Sequence, residues 1–103
     1  MLWLLALVLG CGRGDCASRP PGLDRDLCLH DALLALPGAE AAQAHALALQ
    51  IQDPMVQGAA VFGWVIAHNR EIQPRDGLAL CALLAGQERQ TCERKLSQVH
   101  LRR

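Results

Sequence analysis

Proline and glycine punctuate this chain at intervals that leave room for short helices and little else. Pro37-Gly38, Asp53-Pro54, Pro74 and Gly86 divide everything beyond Gly22 into Leu- and Ala-rich stretches. Proline breaks a helix interior yet fits its first position, where no amide hydrogen bond is lost, so each of these sites ends one helix or starts the next. The stretches between them carry few β-branched residues and no alternating apolar pattern, which argues against strands. The predicted fold class is therefore all-α, a small bundle of about five short helices.

The first helix is expected over residues 24–36, with Asp24 as its cap, an acidic start that suits the helix dipole, and Pro37-Gly38 as its end. Leu27, His30 or Asp31, and Leu34 fall on successive turns. A second helix, residues 39–52, is Ala-rich and places Leu47 and Ile51 four apart. Asp53 is a good N-cap and Pro54 a good first residue for the third helix, residues 54–68. That helix holds AAVFGWVIA, apolar on every face and too short to span a bilayer, which makes it the central core helix. A fourth helix starts at Pro74 and carries an apolar run that stops at Gly86. A fifth starts near Gln87, with Cys92, Leu96 and Val99 as its inward spacing.

Residues 2–9 (LWLLALVL) form an unbroken apolar run that ends at Gly10-Cys11-Gly12. A spanning helix needs about 20 apolar residues, whereas a run of this length followed by small residues has the form of a secretory signal. The tail Val8-Leu9-Gly10-Cys11 resembles the lipobox of bacterial lipoproteins. That resemblance implies that Cys11 is diacylated and becomes the first mature residue. Gly12, standing where Asp would direct inner-membrane retention, implies an outer-membrane destination facing the periplasm. Ordinary secretion is the alternative, and an uncleaved or cytosolic chain a third. The expected organisation is a signal peptide at 1–10, a flexible Pro- and Gly-rich tether at 11–22 and a helical domain at 23–103.

The chain has five cysteines. With Cys11 lipidated, Cys16, Cys28, Cys81 and Cys92 remain, enough for two disulfides in an oxidising compartment. Four cysteines allow three connectivities. Cys81 and Cys92 lie nearly equidistant from Gly86, so a helical hairpin favours Cys81–Cys92 and leaves Cys16–Cys28, which would fasten the tether to the first helix. The rival set joins Cys28 to Cys81 and Cys16 to Cys92.

No catalytic constellation is visible. His30, His45, His68 and His100 fall on different elements without zinc-type spacing, and there is no phosphate-binding glycine loop or Gly-x-Ser-x-Gly. No enzyme activity, metal or cofactor is expected. Ten basic and ten acidic residues balance to zero formal charge, which supplies no field for nucleic acid. The balance is uneven along the chain: Asp24, Asp26, Asp31, Glu40 and Asp53 face only Arg25 within residues 24–53, while Arg89, Arg94, Lys95, Arg102 and Arg103 outnumber Glu88 and Glu93 after residue 87. Asp24, Asp26 and Asp31 read as the solvated start of a helix. The functional expectation is an exported, lipid-anchored helical module that binds another protein in the cell envelope. A carrier of a small apolar ligand or lipid is one alternative, and a small metal-binding protein or enzyme another.

Overall fold

A computed structural model describes the backbone of residues 14–101 and the side chains of residues 16–99. The signal run at 1–10 and the lipidation candidate Cys11 lie outside the described residues. Six helices and no strand are present among those described: α1 (Gly14–Ser18), α2 (Leu23–Leu34), α3 (Ala41–Gln50), α4 (Pro54–His68), α5 (Pro74–Cys81) and α6 (Gly86–Leu101). Helices α2 to α6 correspond to the five that the punctuation implies. Helix α1 is a correction, because the stretch read as flexible tether contains a helical turn. Its cause is covalent and hydrophobic together: Cys16 is bonded to Cys28 and is 1% exposed.

The helix boundaries follow local chemistry. Asp53 accepts from the amides of Met55 (2.8 Å) and Val56 (3.2 Å), and Pro54 occupies the first turn of α4. Asp24, by contrast, does not cap α2. Gly22 holds that position at φ 151°, a backbone conformation natural to glycine, and Asp24 instead sits 3.5 Å from Arg19. Between α4 and α5 the carbonyl of His68 accepts from both Glu71 (2.9 Å) and Ile72 (3.2 Å), and the turn sends Ile72 into the core. At the α5–α6 corner Gly86 adopts φ 57°, reversing the chain where a side chain would be strained.

Helix α4 lies at the centre and packs against α2, α3, α5 and α6. Ala60, Val61, Trp64 and Val65 have no exposed surface, and Leu29, Leu33, Leu36, Ala44, Ala48, Leu80 and Leu96 close around them. The helix is not sealed all round, however: Ala59 and Ala67 are exposed and Phe62 and Ile66 half-buried. Trp64 is the largest fully buried side chain, and its indole Nε1–H donates to the Leu36 carbonyl at 2.9 Å. That carbonyl lies two residues beyond the end of α2, so one bond ties the α2–α3 connection to α4 and satisfies a buried donor. Gln57 does similar service for α3, donating to the Ala48 carbonyl at 2.8 Å.

Two disulfides lock the two ends of the bundle. Cys16–Cys28 ties α1 to α2, and Cys81–Cys92 ties α5 to α6, with Cα separations of 5.6 and 5.7 Å. These are the local pairs that the hairpin geometry favours. Closing loops of 12 and 11 residues removes unfolded-state entropy equivalent to about 2.8 kcal/mol each.

Candidate functional site

Helix α2 buries one of its two leucine edges and leaves the other exposed. Leu27 and Leu34, on the stripe that repeats every helical turn, are 46% and 39% exposed, and Leu23 on the same edge is 59% exposed. The buried edge is Asp26, Leu29 and Leu33. Asp26 is therefore not a solvated helix-start residue. It is 3% exposed, and its carboxylate accepts from the backbone amides of Gln52 (3.1 Å) and Asp53 (2.9 Å). It thereby joins the start of α2 to the corner between α3 and α4. Its position at the head of a Leu29–Leu33–Leu36 stripe is the sequence signal that would have placed it inside.

Two surface depressions border these elements. One, of about 510 Å³, runs along the outer flank of α2 and is lined by Arg19, Asp24, Leu27, Cys28, Asp31, Ala32 and Ala35. Its walls mix apolar side chains with two exposed carboxylates, Asp24 and Asp31, which pair with Arg19 and His30 respectively. The second, of about 460 Å³, lies between the first turns of α4 and the α5–α6 corner. Pro54, Met55, Gly58, Ala59, Leu83, Leu84 and Ala85 make it predominantly apolar, and Glu88 is the charged group on its rim. Met55, 85% exposed, stands at its mouth.

Gly58 is what opens this second groove. A Cβ there would meet the Glu88 carboxylate oxygen at 2.7 Å and Leu84 at 3.7 Å, so the α5–α6 corner approaches α4 closely at this point. Gly63, five residues on and thus about 140° round the helix, faces Leu34 of α2 instead. The groove and α2 accordingly lie on different flanks of α4. No local pattern announces the groove, because its walls come from segments some thirty residues apart that meet only after folding.

His30, His45 and His68 remain dispersed, and the side chain of His100 lies outside the described residues. His30 Nδ1 lies 3.0 Å from the carboxylate of its neighbour Asp31, His68 Nδ1 is 3.6 Å from Glu71 and its ring packs at 4.9 Å from Trp64, while His45 is half-buried on α3. His68 occupies the last turn of α4, where a cation suits the dipole. Among the described residues no group of three or more His, Cys, Asp or Glu side chains is placed to hold a metal ion, and no helix is long and apolar enough to cross a membrane. Comparison with protein-family models, with curated proteins and with solved structures finds no match to this chain.

Proposed function

We propose that this chain is an exported helical module, held to the outer membrane through a diacylated Cys11 on its periplasmic side, which acts by binding another protein of the cell envelope. The observation that carries the export and anchor reading is the cysteine arithmetic. All four cysteines among the described residues are paired, three of the four sulfur-bearing residues are fully buried, and the fifth cysteine is the one in the lipobox-like sequence. Disulfides of this kind persist outside the reducing cytosol. Protein binding is supported by the groove at the α5–α6 corner, whose apolar walls, protruding Met55 and rim Glu88 suit a partner segment offering an apolar side chain beside a base.

Unreduced intact and tryptic mass spectrometry of the natively expressed protein tests the first part. A chain that begins at diacylated Cys11 and is four hydrogens lighter than its reduced form agrees with it. A chain that retains Met1 with free thiols refutes it. For the second part, a photo-crosslinking amino acid at Ala59 in the groove should give a discrete adduct with an envelope protein that the same group at Gln98, on the exposed face of α6, does not. Equal adducts at both positions would remove the groove as the binding surface.

A further inference from the structure

We propose that Met55 is a modification site that regulates the groove beside Gly58: oxidation of its thioether to the sulfoxide by a peroxide releases the bound partner, and a methionine sulfoxide reductase restores binding. This deepens the reading of the groove as a protein-binding surface and rests on it. The argument begins with where oxidisable sulfur is found. Among the described residues all four cysteines are already oxidised, in Cys16–Cys28 and Cys81–Cys92, and have no thiolate to offer a peroxide. Met55 is the one reduced sulfur among those residues, and Met1 lies outside them. It is also the most exposed of their large apolar side chains. The indole of Trp64, the other readily oxidised group among them, has no exposed surface. Susceptibility follows exposure, so a peroxide that meets this body spends itself on Met55.

The fold fixes this sulfur at the mouth of the groove. The Met55 amide donates to Asp53 Oδ1 at 2.8 Å in the cap that starts α4, and the side chain lines the groove with Pro54 and Gly58. Ala59, Phe62 and Ile66 follow on the same side of α4 at spacings of four, three and four residues, which makes Met55 the outermost part of an apolar strip. An unbranched thioether there adapts its shape to a partner's apolar side chain. The oxidation is a two-electron oxygen transfer. A sulfur lone pair attacks one oxygen of hydrogen peroxide, the S–O bond forms, the O–O bond breaks, and the departing hydroxide takes the proton of the transferred oxygen to become water. In the reverse direction two thiols of the reductase are oxidised to a disulfide and the oxygen leaves as water. The sulfoxide puts a polar oxygen where an apolar contact has to be buried, on the rim that already carries the Glu88 carboxylate. A partner closing over it would bury an acceptor with no donor supplied by the groove, which costs binding energy.

The test uses the full natively expressed protein in its own envelope membranes, carrying the photo-crosslinking amino acid at Ala59. Peptide mapping after graded hydrogen peroxide should find one added oxygen at Met55, gained within about twofold of the rate of free methionine, with Trp64 unmodified. At complete oxidation of Met55 the Ala59 adduct should fall about tenfold and return after methionine sulfoxide reductases for both sulfoxide epimers are added with their dithiol reductant. An unoxidised sample given the same reductant controls for the disulfides. Met55→Leu, compared with its own untreated sample, should keep its adduct through peroxide, which separates Met55 from oxidation of the partner. Met55→Gln, a polar stand-in for the sulfoxide, should show the low adduct without peroxide. An adduct that survives full oxidation of Met55, or that falls as far in Met55→Leu, overturns the proposal and leaves the groove standing. No adduct at Ala59 before peroxide removes the groove and the proposal together.

Discussion

Removal of the Asp26 carboxylate tests whether a buried charge stabilises this fold or merely is tolerated in it. In Asp26→Ala the amides of Gln52 and Asp53 lose acceptors at 3.1 and 2.9 Å. Hydrogen bonds to a charged group contribute about 1.5–3 kcal/mol each, and a stranded buried donor adds its own desolvation cost. Gln52 and Asp53 are themselves exposed residues, so water reaches part of what is stranded and the lower half of the range applies. The opposing effect is the cost of burying a carboxylate, which the alanine variant recovers. Two short bonds and a place in the first turn of α2, where the dipole favours an acid, outweigh that cost. The expected loss is about 2–4 kcal/mol for Asp26→Ala and about 1–2 kcal/mol for Asp26→Asn, which keeps one acceptor. For a domain of this size the alanine variant should lower Tm by roughly 10–25 °C. Urea unfolding followed by Trp64 fluorescence and far-ultraviolet circular dichroism, without reductant, gives the number. A change below about 1 kcal/mol, or a gain in stability, would refute the reasoning, because it would mean that desolvation cancels the bonds.

Three other outcomes follow from the packing. Trp64→Phe keeps most of the apolar volume but deprives the Leu36 carbonyl of its donor, and should cost about 2–3 kcal/mol by denaturation monitored with circular dichroism. Asp53→Ala removes the α4 cap and should cost about 1 kcal/mol; a loss under 0.3 kcal/mol in the same assay would show that Pro54 suffices. Cys28 borders an open depression, whereas Cys81 and Cys92 have no exposed surface. Under graded dithiothreitol with alkylation and mass spectrometry, Cys16 and Cys28 should therefore be trapped as thiols before Cys81 and Cys92. The reverse order would contradict the exposure argument.

The five helices α2 to α6, the central place of α4 and the local disulfides were legible because each has a short-range cause. Pro and Gly act on their own backbone, an Asp-Pro pair caps and starts a helix within four residues, and cysteines placed symmetrically about Gly86 meet in any short hairpin. The proposed acyl anchor likewise rests on a local pattern, the residues around Cys11. Helix orientation was not legible in this way. Along α2, leucines occur on two edges, Leu23–Leu27–Leu34 and Leu29–Leu33, and residue type alone does not say which one faces inward. The contest was decided by what α4 and the α3–α4 corner offered: space for Leu29 and Leu33 beside Trp64, and two free amides for Asp26. The groove at Gly58 depends likewise on contacts between distant segments. Sequence alone determined where the helices break and favoured the local cysteine pairs, since steric and covalent limits act over a few residues. Only the tertiary structure decided which faces remain bare, because burial is a competition among all the apolar edges for one small core.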